Sequence, residues 1–301
     1  MNIQIKMAII AIAIIIPLSS LAVYSTNTNQ QFTNSNNSKL QVISSFNPLH
    51  EFSTNVGQEK VDVILLVPIG VEPHDWEPTV KDVQRMQQAD LIVINGIGFE
   101  NWVDDLEETG YSGKIIDTSY GIFEKNSKHE ILKKSGDPHI WLNPVLAKTQ
   151  VQNIANAFSN SDPSNEEYYQ SNAATYIKEL ELLDLKIRND LSNCDSDFVA
   201  FHDAFSYFAD EYNLNQHTII SSNDPHGEAT AKTLEKIIST SKKLNITVIF
   251  AEETVDARTS EVIANEIGGK VLVLSPLETP SDSNYISKMT ENLENLKEAL
   301  C

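Results

Sequence analysis

The chain has 301 residues, 41% of them hydrophobic, enough for two ordinary domains with real cores. Its 42 acidic and 22 basic residues give a formal charge of −20. That excludes nucleic acid as a partner, because phosphate recognition needs a basic surface, and suits a soluble protein that weakly draws cations.

Lys6 precedes an apolar run from Met7 to Ile16, and Pro17, Ser19, Ser20 and Ala22 follow. A basic start, an apolar core and small residues near the end make residues 1–24 a secretory signal, or alternatively an uncleaved membrane anchor. Cysteine is absent from this stretch, so a lipid anchor on cysteine has no acceptor there. Residues 25–39 are Asn, Thr, Ser and Gln with almost no apolar content and read as a flexible polar linker.

The first α/β lobe is expected over 40–161. Leu40–Ile43 is a short strand, and Val61–Val67 is a second strand stopped by Pro68. Thr79 caps a helix running to about Gln88, with Val80, Val83 and Met86 at a spacing of three. Ala89–Gly96 reads as a buried parallel strand, Trp102–Glu108 as a helix and Lys114–Asp117 as another strand. Residues 119–136 are polar and loop-like. Asn143-Pro144 opens a helix to about Phe158.

Asp162-Pro163-Ser164 starts a long amphipathic helix, expected over 162–192 as a rigid connector. Its apolar positions are Tyr168, Tyr169, Ala173, Tyr176, Ile177, Leu180, Leu183 and Ile187. A second α/β lobe is expected over 193–301. Its strands are Asp197–Phe201, Thr218–Ile220, Ile246–Ala251 and Lys270–Leu274, and its helices are Ala204–Tyr212, Ala229–Leu244, Thr259–Gly268 and Asn284–Ala299. The fold class is therefore α/β: two βα lobes joined by one long helix, with a cleft between them. The two cysteines, Cys194 and Cys301, are either a disulfide, which export permits, or two free thiols.

Three histidines sit in polar-aromatic motifs sixty-odd residues apart: Pro73-His74-Asp75-Trp76, Asp137-Pro138-His139-Ile140-Trp141 and Phe201-His202-Asp203-Ala204-Phe205. Imidazole is the commonest ligand for a borderline transition metal. His74 and His202 both follow strand ends, where open α/β sheets bind their ligands. Asp75, Asp137 and Asp203 are candidates to fix the ring tautomers from behind. A lone histidine is usually structural, and His50, His129, His217 and His226 share no motif and are read that way.

These motifs resemble the metal-binding subunits of ABC transporters for zinc and manganese. The resemblance runs from about Leu40 to the C-terminus. It rests on Pro73 to Thr79, Ala89 to Gly96, Asp137 to Pro144, Tyr168 to Leu183, Phe201 to Phe205 and Ile249 to Glu252, in that order. It implies one metal between the lobes, with His74, His139 and His202 as ligands. Three imidazoles imply Zn2+, with Mn2+ as the alternative. The fourth position departs from the family pattern, since Ser275 stands where an aspartate is usual. Water is the preferred fourth donor, then Glu278, with Glu252 also in reach. Glu228 is read as structural.

The resemblance implies an extracytoplasmic monomer, secreted or held at the outer face of the membrane by its N-terminal segment. It would capture Zn2+ for an ABC permease. A manganese or iron carrier is the alternative within that class. A secreted hydrolase built on a three-histidine zinc centre ranks lower, since His-Glu-x-x-His and Gly-x-Ser-x-Gly are both missing. An adhesin on the same fold comes last. The chain is expected not to be an enzyme.

Overall fold

The computed structural model describes residues 39–125, 136–222, 225–227 and 229–301. The signal or anchor, the linker before Lys39, His129 and Glu228 lie outside the described residues. The described residues form one compact unit.

Among the described residues, two four-stranded parallel sheets carry the fold. The first contains β1 (Leu40–Ser44), β2 (Val61–Leu65), β3 (Leu91–Ile94) and β4 (Lys114–Asp117), in the order β2-β1-β3-β4. The second contains β5 (Asp197–Ala200), β6 (Asn215–Thr218), β7 (Val248–Ala251) and β8 (Lys270–Val273), in the order β6-β5-β7-β8. The order is the same in both. β3 and β7 are buried along their whole length, as expected of inner strands in parallel sheets covered on both faces. β6 ends at Thr218, so Ile219 and Ile220, read from sequence as strand, lie just beyond it. They sit in the second core with Val199, Phe201, Ile237, Ile249 and Ile263. Their β-branched shape marked burial, and the ladder belongs to the polar Asn215–Thr218 edge beside β5.

Helices pack around the sheets: α1 (Asn47–Gly57), α2 (Val80–Met86), α3 (Val103–Glu108), α4 (Ile122–Lys125), α5 (Pro144–Ser161), α6 (Glu166–Leu191), α7 (Ser206–Tyr212), α8 (Ala231–Leu244), α9 (Arg258–Ile267) and α10 (Tyr285–Leu300). α1 was not foreseen. Its buried residues are Pro48, Leu49, Phe52, Ser53, Val56 and Gly57, a face only about three turns long. Thr79 does cap α2, through a reciprocal pair in which its hydroxyl accepts from Asp82 N and Asp82 accepts from Thr79 N.

The long helix α6 begins four residues later than the sequence suggests, because Pro163–Asn165 first makes a 3-10 turn. It buries Tyr169, Ala173, Tyr176, Leu180, Leu183, Ile187 and Leu191, a single stripe at spacings of three and four. α6 packs against α1 and α5 from the first half of the chain and against α7 and α10 from the second. It is thus the common support of both sheets. Truncating a fully buried leucine on it, such as Leu180, costs about 2–5 kcal/mol.

Cys194 and Cys301 are bridged, with Cα atoms 4.6 Å apart. The bridge closes a loop with a sequence separation of 107 and ties the end of α10 to the chain just after α6. A bridge of this kind stabilises a domain by about 2–4 kcal/mol, mainly by restricting the unfolded chain.

Candidate metal centre

His74 lies in the loop between β2 and α2, His139 just before the 3-10 turn Ile140–Leu142, and His202 two residues past β5. The fold brings all three together, although 65 and 63 residues separate them in sequence. Nε2 of His139 is 3.2 Å from Nε2 of His74 and 3.2 Å from Nε2 of His202.

Glu278 completes the group. Its Oε1 is 3.3 Å from His74 Nε2, 3.4 Å from His139 Nε2 and 4.0 Å from His202 Nε2. The four donor atoms all lie within 4.8 Å of one another. A tetrahedral zinc site with bonds of about 2.0–2.1 Å has donors about 3.3 Å apart. All of these separations but the 4.0 Å one fall within about a tenth of an ångström of that edge. Glu278, ranked behind water as fourth donor from the sequence, is thus the acid that the fold brings to the three imidazoles. Glu252 is engaged elsewhere, and Ser275 turns its hydroxyl to the backbone N–H of Leu277.

Two carboxylates stand behind the rings. Asp137 Oδ1 is 2.8 Å from Nδ1 of His139 and also accepts from that residue's backbone N–H. Glu252 Oε1 is 2.7 Å from Nδ1 of His202 and likewise accepts from its backbone N–H. An ionised carboxylate can only accept, so Nδ1 carries a proton, and once the ring is neutral its Nε2 lone pair faces the place of an ion. Of the three acids proposed for this role, only Asp137 performs it. Asp203 instead accepts from Ser206 and Gln216, and Asp75 pairs with His226. Glu252 was missed as a tautomer anchor because it is 50 residues from His202, directly after β7. His217 pairs with Asp197, away from the site, and His50 lies in α1.

His139 and His202 are fully buried and Glu278 nearly so, while the His74 side chain keeps 10% of its exposure. The edge of Phe99 braces the His74 ring, centroids 4.7 Å apart. Burial lowers the His139 pKa, but the Asp137 and Glu278 carboxylates overcome it and raise it to about 9. Burial raises Glu278, and its hydrogen bonds to His139 and His74 pull it well below the usual carboxylate range. The metal-free centre thus holds a proton on His139 where a cation would sit. The second oxygens of Asp137, Glu252 and Glu278 are buried without a hydrogen-bond partner among the described residues. Three buried carboxylates around three imidazoles constitute an excess of negative charge that a divalent cation offsets.

The family model for "Zinc-uptake complex component A periplasmic" matches residues 42–299. The chain belongs to this family. It is 37% identical over 87% of its length to the high-affinity zinc uptake system protein ZnuA of Bacillus subtilis, covering 88% of that protein. It is 34% identical over 86% of its length to the zinc-binding protein AdcA of Streptococcus pyogenes, of which it spans only 56%. Among solved structures, the Zn(II)-bound ZnuA-like domain of Streptococcus pneumoniae AdcA superposes with a TM-score of 0.77 at 33% identity, covering 87% of this chain and 99% of that one. The family places the chain among extracytoplasmic transport components, and the two-sheet architecture agrees.

Proposed function

We propose that this protein is the extracytoplasmic component of an ABC uptake system and captures one Zn2+ for a membrane permease. The ion is held by Nε2 of His74, His139 and His202 and by the carboxylate of Glu278. The observation that carries the reading is the convergence of these four atoms within 4.8 Å of one another, with Nε2 of His139 at about the edge length of a tetrahedral zinc site from the other three. Three imidazoles and one carboxylate suit zinc better than manganese, which prefers more oxygen donors. A manganese or iron carrier is the second reading within the class.

Capture works by exchange. Zn2+ gives up water to the three imidazoles, the proton on His139 leaves, and Glu278 supplies a charged donor. Burial then shields the ion from solvent. The same burial argues against hydrolysis, since His139 and His202 leave no open face for a substrate. In this reading the protein is a carrier without enzymatic activity and acts as a monomer. It is secreted or held to the outer face of the membrane by residues 1–24, with residues 25–39 as tether.

We place the lobe boundaries at 161 and 192, on either side of α6; the packing of that helix against both halves of the chain supports a stiff connection and a small opening for release over a wide hinge motion.

The test is metal analysis of the protein as purified, followed by competition among zinc, manganese and a chelator. One equivalent of zinc, held against a chelator and against excess manganese, is the expected result. Tight manganese binding with negligible zinc affinity would overturn the assignment.

A further inference from the structure

Glu278 reaches the centre on a short arm, Ser275-Pro276-Leu277-Glu278, that follows β8. The root of the arm belongs to the second sheet: Ser275 N donates to Asn292 Oδ1 of α10, and Asn292 Nδ2 donates back to Ser275 O. The tip is held from the other half of the chain. The Trp141 indole N–H donates to Pro276 O at 2.8 Å, and the Asn47 side-chain amide donates to Leu277 O at 3.2 Å. Trp141 follows His139 by two residues, and Asn47 opens α1 on the first sheet.

Leu277 has φ of +60°, in the left-handed region that costs a non-glycine residue about 1–2 kcal/mol. That turn points Glu278 back toward the histidines. On one side the arm borders a cavity of about 120 Å³ lined by Asn47, Ser275, Leu277, Tyr285 and Lys288 among others. The arm is buried throughout, with Leu277 4% exposed, so packing and these hydrogen bonds together hold the strained turn.

We infer that Trp141 and Asn47 are positioning residues for the fourth ligand: by gripping the Pro276 and Leu277 carbonyls, they set where the Glu278 carboxylate stands relative to the three imidazoles. The inference rests on the reading of Glu278 as a metal donor. Its physical content is that the first half of the chain, which supplies His74 and His139, also sets the position of the carboxylate that the second half supplies. The strength of the site then depends on the two halves being in register. A shift between them withdraws Glu278 without moving any histidine within its own loop. Tyr285 reinforces the register: its hydroxyl donates to Trp141 O at 2.6 Å, and its backbone N–H donates to both oxygens of Glu51 on α1.

The test is a double-mutant cycle on zinc affinity, measured by chelator competition on the full chain, with metal-free melting as a check on folding. Trp141→Phe keeps a large aromatic ring and removes the N–H donor. Asn47→Ala removes the other donor at a half-buried position, and carries the test if the tryptophan variant does not fold. Each is combined with Glu278→Gln. Losing an outer partner of a metal ligand typically weakens binding about 10–100-fold. Each variant is therefore expected to weaken zinc binding about tenfold in the parent, and by less than about twofold in the Glu278→Gln background. Equal losses in both backgrounds, or no loss in either, would overturn the positioning role while leaving Glu278 a ligand. If Glu278→Gln alone leaves zinc affinity unchanged, the four-donor reading fails, and the inference with it.

Discussion

The two sheets share one strand order, so each has the same crevice, between its first and third strands at their carboxyl ends. The second crevice holds part of the metal centre: His202 follows β5, Glu252 follows β7, and the two are 2.7 Å apart. The first crevice holds a different buried carboxylate. Glu100 Oε1 accepts from the Ser45 hydroxyl, just after β1, and from Asn95 N, just after β3, while Oε2 accepts from Gly96 N. The topology thus offers one place twice, and side chains decide its use. Where a histidine stands opposite the carboxylate, the crevice becomes a ligand mount. Where a serine and backbone N–H groups stand there, it becomes a loop anchor. His74 and His139 therefore arrive on loops beyond the first crevice, and that crevice steadies them indirectly. Glu100 fixes the turn that carries Phe99 against His74, and Asn95 donates to Pro138 O beside His139.

If this division of labour is right, damage to the second crevice appears in metal binding and damage to the first appears in stability. His202→Ala should have the largest effect. Structural zinc sites are worth about 10–16 kcal/mol in all, so losing one of four ligands costs about 3 kcal/mol, or two orders of magnitude in affinity. Chelator competition reads it. Retained affinity would mean that the second crevice is not a mount at all.

The pH dependence should be nearly as large. In the metal-free protein, the carboxylates of Asp137 and Glu278 overcome burial and raise His139 to about 9. Binding must expel that proton, so affinity rises with pH up to about 9 and falls about tenfold per unit below it. From pH 8 to pH 6 the expected loss is about 100-fold. Calorimetry in buffers of different ionisation enthalpy should find about one proton released per zinc at pH 7.5. No proton release would show that His139 is neutral before the ion arrives.

Glu252→Gln comes next, weakening zinc about 10–100-fold by removing the carboxylate that fixes the His202 tautomer. The melting of the metal-free protein should change less than it does on the matching change at Glu100. The reverse pattern would erase the distinction between the crevices.

Much of this was legible in the sequence because it was local. The histidine motifs, the apolar strands and the stripe on α6 are patterns of adjacent or periodic residues. Four things were less legible, each for a physical reason. Glu278 was ranked below water because Ser275 takes the usual acidic position, and only the left-handed turn at Leu277 brings the later carboxylate back. Glu252 is paired to His202 by strand neighbours, a relation that sequence distance hides. Asp75 and Asp203 looked right because they adjoin the histidines, yet adjacent side chains point apart. α1 escaped notice because its apolar face is short, only Leu49, Phe52 and Val56 in a helix of 11 residues, and tertiary packing decides it. Asn47 and Glu51 on that helix then join it to the second half of the chain.

Glu100 gives the smallest expected effect and the most direct test of the first crevice. Burial raises its pKa to about 7, against the pull of Asn95 N, the Ser45 hydroxyl and Gly96 N. A carboxyl whose folded pKa exceeds its unfolded value favours the folded state most below the unfolded value. That contribution is lost as pH rises through the folded value. Metal-free stability should therefore decline between about pH 4.5 and pH 7, by no more than about 3 kcal/mol in all. Glu100→Gln should remove the Glu100 share of that slope, because the amide does not titrate, and leave the shares of Glu51, which burial also raises, and of His139. It should also lower stability by about 1–3 kcal/mol, since its NH2 would face a donor, either Gly96 N–H or the Ser45 and Asn95 groups. Denaturant unfolding at several pH values separates the two effects. Zinc affinity is expected to change less than in Glu252→Gln, because Glu100 reaches the ion only through Phe99 and Asn95. A Glu100→Gln variant with parental stability and a large loss of zinc affinity would mean that both crevices serve the metal directly.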